Sequence, residues 1–260
     1  MPSFETLLFE IKDRIAYITL NRPEKSNALS PQIVSELKEA FSKASSSPLA
    51  KIIVLKANGT VFSAGADLAY LQSLQNNTYE ENLADSNNLK ELFTQMYFLN
   101  KVIIAQVEGH AIAGGCGLAG VCDFVFSTPE AKFGYTEVKI GFVPAIVSIF
   151  LIRKIGETNA KELLLTGKLI SAEYAQKIGL IHYIYEKDQI AESIQQFALN
   201  LCKNTSGESL RITKDLIARI QTMDFFEALE LAASTNAHAR LGTDCKRGIA
   251  AFLNKESIEW

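Results

Sequence analysis

The chain has 260 residues, 48% of them hydrophobic, with 26 basic against 29 acidic side chains and a formal net charge of -3, enough apolar material for a sizeable core. Its three histidines (His110, His182, His238) and four cysteines (Cys116, Cys122, Cys202, Cys245) fall outside the close ligand spacings of zinc or iron–sulfur centres, so no metal is expected. The charge balance lacks the Lys and Arg excess that phosphate neutralisation requires, which argues against nucleic acid as a partner.

Residues 4–10 and 15–20 run apolar around Lys12-Asp13-Arg14 and predict a β-hairpin. Asn21-Arg22-Pro23-Glu24-Lys25-Ser26-Asn27 reads as a loop by composition. Ser30-Pro31 then has the form of an N-cap and first helical residue, with Ile33, Val34, Leu37, Ala40 and Phe41 as the apolar stripe. Ile52-Ile53-Val54-Leu55 predicts a strand buried on both faces. It is followed by Asn58-Gly59 and by Phe62-Ser63-Ala64-Gly65-Ala66-Asp67-Leu68.

The polar, amide-rich stretch 71–86 predicts a mobile excursion before a helix around 89–99. A strand at 101–107 runs into Gly109-His110-Ala111-Ile112-Ala113-Gly114-Gly115-Cys116-Gly117-Leu118-Ala119-Gly120, followed by a short strand at 124–126. This order of strand, small-residue turn and helix argues for parallel β/α layering with functional groups at strand ends. Helices are expected at 159–165 and 171–178, a last strand at 180–185, and only helices from 188 onward, one of them opened by an Asp224–Glu227 capping box. The longest apolar stretch, 142–152, is interrupted by Pro144 and Ser148 and is too short for a membrane span. Residues 1–10 carry no basic segment followed by an apolar one, and the scattered cysteines suit a reducing compartment, so a cytoplasmic location is expected.

Seven of the fifteen glycines lie between Gly109 and Gly141, which points either to tight packing or to backbone brought close to a ligand. Gly115, Gly117 and Gly120 satisfy the G-x-G-x-x-G pattern. Several residues separate them from the preceding strand, however, and only a short helix fits before Phe124, so a dinucleotide site is not expected. No phosphate-binding G-x-x-x-x-G-K run is present, and Ser63 lacks the first glycine of a nucleophile elbow. What remains is a pair of small-residue turns whose free N–H groups can hold a developing oxyanion.

These residues resemble the crotonase family, the enoyl-CoA hydratase/isomerase superfamily. The segments that carry the resemblance are Asn21 to Leu29, Phe62 to Leu68, Val107 to Ala119, Phe133 to Gly141 and Gly248 to Lys255. It implies an α/β fold, a spiral of β-β-α units over residues 1–195, with a helical segment at 196–260 that assembles a homotrimer or a dimer of trimers. It implies an acyl-CoA substrate and no separate cofactor, coenzyme A arriving as part of the thioester. The N–H groups of Ala66 and Gly114 would form an oxyanion hole; Lys25, Ser26, Ala28, Ala64 and Leu68 would line the CoA channel; Phe252 and Lys255 would reach the CoA of a neighbouring subunit.

Glu137 matches one of the two acid/base glutamates of the hydratases, and the other is replaced by Gly117. With one carboxylate, Glu137 must activate water and deliver the α-proton in turn, enlist another group, or catalyse a different reaction. The Gly-Cys-Gly loop and residues 136–148 look most like bacterial methylglutaconyl-CoA hydratases of leucine breakdown, whereas a single glutamate also resembles the Δ3,Δ2-enoyl-CoA isomerases. A dehydratase acting on a carrier-protein thioester and a non-catalytic acyl-CoA-binding member are the other readings. Ala145-Ile146-Val147 departs from the small, Gly-rich run usual after that proline. Lys139 is a candidate partner for a distal substrate carboxylate, His110 a candidate second acid/base, Asp67 and Asp123 are expected to cap and brace loops, and Cys116 is expected to be a small core residue.

Overall fold

The long strands carry apolar residues on both faces because both faces are covered. In the computed structural model, which describes residues 4–260, β1 (Leu7–Lys12) and β2 (Ile15–Leu20) form the expected hairpin, with Asp13 and Arg14 at φ 53° and 64° in the two turn positions. Helix α1 (Pro31–Ser46) starts where Ser30-Pro31 predicts, and the Ser30 hydroxyl accepts from the Ile33 N–H at 3.5 Å. Next come β3 (Ile52–Ala57), β4 (Val61–Ser63), α2 (Leu68–Ser73) and α3 (Tyr79–Tyr97).

The stretch expected to be a mobile excursion is therefore mostly helical. A reciprocal Thr78–Glu81 capping box starts α3, and its first turns are polar because they face solvent, with only Leu92, Phe93 and Met96 buried. The chain continues through β5 (Val102–Val107), β6 (His110–Ile112), α4 (Gly114–Gly120), β7 (Phe124–Ser127), β8 (Lys132–Gly134) and α5 (Ala145–Thr166). Helix α5 begins well before the segment predicted at 159–165 and is interrupted at Gly156, which has φ 75°. Then follow β9 (Ile170–Ser171), α6 (Ala172–Lys177), the two-residue β10 (Tyr183–Ile184), which is shorter than predicted, and the helices α7 (Ile190–Asn204), α8 (Gly207–Ile220), α9 (Phe225–Leu241) and α10 (Thr243–Asn254).

Two sheets result, a six-stranded one in the order β1-β2-β3-β5-β7-β10 and a four-stranded one in the order β4-β6-β8-β9. Three times in succession a long strand of the large sheet (β3, β5, β7) is followed by a short strand of the small one (β4, β6, β8) and then by helix. In the large sheet, residues alternate between faces. Ile53 and Leu55 pack against α1, while Ile52, Val54, Val102 and Ile104 pack with Ile190, Ile194 and Ala198 of α7. Helix α7 crosses residues 195 and 196, the division expected from the sequence, with Ile194 and Ala198 buried on either side.

Helices α8 to α10 pack on one another. Asp224 caps α9 as expected, accepting from the N–H groups of Phe226 and Glu227. Helix α9 buries no residue, and Phe225, Phe226, Leu241 and Phe252 stand exposed. Among the described residues no helix is long and apolar enough to cross a membrane.

Candidate active site

The small sheet assembles the site. β4, β6 and β8 run parallel as neighbours, so their C-terminal ends share one edge. The residues that follow them are residues 64–67, residues 113–114 and residues 135–137. The sequence places the first two turns directly after the long strands; they follow short second strands instead, whose three residues are too brief to show periodicity.

At the first turn Leu29 bridges Ala66: the Leu29 N–H donates to the Gly65 oxygen at 2.6 Å and the Asp67 N–H to the Leu29 oxygen at 3.0 Å. In a parallel bridge the intervening N–H, that of Ala66, points to the other side, and it has no acceptor among the described residues. Gly65 makes this turn possible. Its φ is 89°, and a methyl group on it would lie 2.7 Å from the Ala113 Cβ and 3.4 Å from the Gly114 nitrogen, so the two turns are in contact.

At the second turn Ala113 has φ 52° and ψ −126°, a strained conformation for a residue with a Cβ. Its own N–H donates to the Gly134 oxygen at 2.7 Å. The following N–H, that of Gly114, opens α4, where first-turn donors lack intrahelical partners, and it too has no acceptor among the described residues. Two free amides on adjoining turns can hold an oxygen that gains negative charge during a reaction.

The third strand end carries Glu137, at the start of the 3-10 turn Glu137–Ile140. Its side chain is buried, 9% exposed, and Oε2 has no hydrogen-bond partner. Burial raises the carboxyl above its usual range. The neighbouring Tyr135 and Cys116 are fully buried, and burial pushes the Cys116 thiol up to about 12. Cys116 is thus an inert core residue, as expected.

At Gly117, where the resemblance implies a second carboxylate, the space is filled. A Cβ on Gly117 would run into Val147 Cγ1, and would lie 3.0 Å from Val147 Cβ and 3.1 Å from Phe93 Cε1. Val147 belongs to the Ala145-Ile146-Val147 run that replaces a small-residue segment, so the two departures noted in the sequence are one packing event. Gly117→Glu should therefore cost about 1–3 kcal/mol of stability from overpacking, read as a lowered Tm, and Val147→Gly in the same chain should restore a large part of it.

The sequence profile of the family described as "Enoyl-CoA hydratase/isomerase" matches residues 10–260. This chain is a member of that family. A Thermus thermophilus relative whose name places it among enoyl-CoA hydratases is 42% identical over 244 residues, 94% of this chain and 96% of its own length. The 2,3-dehydroadipyl-CoA hydratase of Escherichia coli is 30% identical over 257 residues, 98% of each chain. Among solved structures, an enoyl-CoA hydratase of Shewanella pealeana superposes with a TM-score of 0.93 at 29% identity, covering 99% of this chain and 97% of that one. The fold is the crotonase fold expected from the sequence.

The other residues singled out for this enoyl-CoA hydratase/isomerase family member fall in two groups. Lys25 and Ala64 are exposed, Ser26 is half-buried and Ala28 is buried on the loop before α1 and on the first turn, and Leu68 opens α2. These two segments are stitched together, the Ala64 N–H donating to the Ser26 oxygen at 3.0 Å. Phe252 and Lys255 are exposed at the end of α10, which packs on α8 and α9.

Lys139 is exposed and lies along Gly167 at the end of α5. His110 is exposed at the start of β6, where its Nδ1 accepts from the Lys132 N–H at 3.2 Å. Asp67 caps α2 through the N–H groups of Ala69 and Tyr70. Asp123 accepts from the Ile103 N–H at 2.7 Å and pairs with Lys214 at 2.6 Å. Among the described residues no cluster of His, Cys, Asp and Glu could hold a metal ion.

The run 145–147 stands out in the sequence, but its contact with Gly117, like that of Phe93, joins residues far apart in the chain. Arg22 and Asn27 lie in a segment that carries the resemblance, and the sequence assigns neither of them a role beyond loop. Asn27 is fully buried and donates to the oxygens of Asn58 and Val61 at 2.8 and 2.9 Å. A buried asparagine in a polar loop is a signal that only burial reveals.

Proposed function

We propose that the chain adds water to the double bond of a short branched enoyl-CoA, with 3-methylglutaconyl-CoA of leucine breakdown as its candidate substrate, and with Glu137 as its one acid/base. The buried Glu137 carboxyl, with an unpartnered oxygen and on the same sheet edge as two acceptor-free amides, carries this reading. Glu137 takes a proton from water as the water oxygen bonds to the β-carbon. The π-electron pair moves toward the thioester oxygen, where the N–H groups of Ala66 and Gly114 receive the negative charge. The enolate then takes the proton from Glu137 at the α-carbon, so one water is added and the carboxylate is regenerated. Each donor of such a pair contributes about 3–4 kcal/mol to the barrier reduction.

The acyl group is argued from the Gly117–Val147 packing and from residues 136–148, which resemble hydratases of a branched acyl group bearing a second carboxylate. The name of the Escherichia coli relative also denotes an acyl group with a second carboxylate. In this reading Lys25, Ser26, Ala28, Ala64 and Leu68 line the CoA channel. Residues 1–195 form the working core, and residues 196–260 a helical segment whose exposed Phe225, Phe226 and Phe252 are covered in a trimer or dimer of trimers, Phe252 and Lys255 reaching the neighbour's CoA.

Isomerisation of a 3-enoyl-CoA is favoured by one observation: Val147 fills the space of a second carboxylate, and a double-bond shift needs only one group to move a proton between carbons. Following enoyl absorbance with methylglutaconyl-CoA, crotonyl-CoA and a 3-enoyl-CoA separates the two. Loss of absorbance with methylglutaconyl-CoA at a rate at least 10-fold above that with crotonyl-CoA is the expected result. A gain with the 3-enoyl-CoA alone replaces hydration by isomerisation, and no turnover of any of them leaves acyl-CoA binding without catalysis.

A further inference from the structure

Residues 26–29 and 61–67 form one stapled unit. Besides the Ala64–Ser26 and Leu29 pairings, the Ser63 hydroxyl donates to the Asn27 oxygen at 2.9 Å and the Asn27 side chain donates to the Val61 oxygen. One charged link crosses this unit. Arg22 Nη1 faces the Ala28 oxygen at 3.4 Å and the Ser30 hydroxyl at 3.2 Å, and Arg22 Nη2 faces Asp67 Oδ2 at 3.4 Å. Both side chains are largely buried, 20% and 13% exposed, so the pair is less screened than a surface ion pair.

Asp67 divides its two oxygens. Oδ1 accepts from the N–H groups of Ala69 and Tyr70 at 3.0 and 3.3 Å and so caps α2, while Oδ2 faces Arg22. The preceding residue is Ala66, whose peptide plane follows Gly65, a residue with little steric restriction of its own. The direction of the Ala66 N–H is therefore held by the Leu29 N–H, which binds the Gly65 oxygen of the same peptide, and from the downstream side by Asp67, whose N–H donates to the Leu29 oxygen. A planar guanidinium suits the task because it can address three acceptors on two segments, residues 28–30 and Asp67, at fixed angles.

We propose that Arg22 is a positioning residue that couples occupation of the loop 25–28 by the CoA portion of the substrate to the orientation of the Ala66 N–H. The proposal rests on the reading of those residues as CoA channel and oxyanion donor. Binding energy from the part of the substrate remote from the double bond is thereby used at the reacting thioester, and such energy appears in kcat rather than in KM.

The test compares Arg22→Gln, Arg22→Lys, Asp67→Asn and the Arg22→Gln/Asp67→Asn pair. Asp67→Asn is informative because asparagine keeps the cap of α2 and loses only the charge. Each variant is assayed with the full CoA thioester and with the N-acetylcysteamine thioester of the same acyl group, which lacks the nucleotide. On the CoA thioester, Arg22→Gln and Asp67→Asn are expected to lower kcat about 10-fold with KM within about twofold. The double variant should be no worse than either single one, and Arg22→Lys should recover part of the loss. On the truncated thioester, wild type and variants should turn over alike. A raised KM with unchanged kcat, or equal slowing on both thioesters, overturns the coupling.

Hydrogen exchange of residues 64–70 with and without free CoA is the second readout, and it decides even if the wild type turns over no enoyl thioester, a result that would sink the functional reading alone. Slower exchange on adding CoA in the wild type but not in Arg22→Gln supports the proposal. Equal protection in both, or none in the wild type, overturns it.

Discussion

Glu137→Gln is expected to lower kcat/KM for the enoyl-CoA substrate by about 100- to 10,000-fold, the range that loss of a positioned acid/base produces, while leaving the fold intact. Glutamine preserves the shape of a side chain that is 9% exposed and removes its charge and its ability to take up and deliver a proton. Because burial raises the Glu137 carboxyl, the wild-type rate should climb with pH as this group ionises, with its half-point above the ordinary carboxylate range, and the variant's residual rate should lack that limb.

The same shift sets the sign of a stability effect. A carboxyl whose folded pKa is raised binds its proton more tightly in the folded state. Its contribution is fully present below the unfolded pKa and is lost as pH rises through the folded one. Above that folded pKa the wild type bears the whole cost of burying the charge, and there Glu137→Gln should be the more stable protein, read as a higher Tm. That advantage should shrink as the pH is lowered through the window. An active variant would sink the assignment of Glu137, and a less stable one would show that the carboxylate is bound by a group that compensates its burial.

Gly114→Pro, made in an Ala113→Gly chain and compared with Ala113→Gly alone, should lower kcat by about 100- to 1,000-fold, equivalent to about 3–4 kcal/mol, through loss of a single amide proton. Gly114 is the first residue of α4, where the missing N–H of proline breaks no intrahelical bond, and glycine at position 113 removes the Cβ that the proline ring would meet at φ 52° and ψ −126°. The N–H at position 113, which pairs with the Gly134 oxygen, is untouched. The nearest neighbour to a Cβ at Gly114 is the terminal Cδ1 of Leu29 at 3.2 Å, a methyl group on a rotatable side chain. Gly114→Ala in the same Ala113→Gly chain is the control, since it adds that carbon and keeps the N–H. It should retain activity within about 10-fold, with a Tm close to that of the proline variant. Equal activity of the proline and alanine variants would remove the Gly114 amide from the mechanism.

How far these elements could be read from sequence differs by the range of the forces involved. The hairpin turn at Asp13 and Arg14, the Ser30-Pro31 start of α1 and the buried run Ile52 to Leu55 are decided by neighbours within a few residues, and each stands where local chemistry places it. The Thr78–Glu81 capping box was also present in the sequence, but the amide-rich composition around it read as a loop. The strands β4, β6 and β8 have three residues each, below the length at which alternation is visible, although the whole site hangs on their shared edge. Glu137 and the turns at Ala66 and Gly114 were found through their motifs. The staple from Arg22 to Asp67 and the insertion of Val147 beside Gly117 depend on tertiary packing that no local pattern encodes.

The Gly117–Val147 contact also constrains the order in which such a site can change. A glutamate arriving at position 117 first meets Val147 and Phe93 with no room to turn. A smaller residue arriving at position 147 first leaves only a cavity, a milder defect that a reserve of stability can absorb. Passage between one-carboxylate and two-carboxylate forms of this scaffold therefore runs through the loss of the valine. The side chain that gates the route is neither Glu137 nor part of the turns at Ala66 and Gly114.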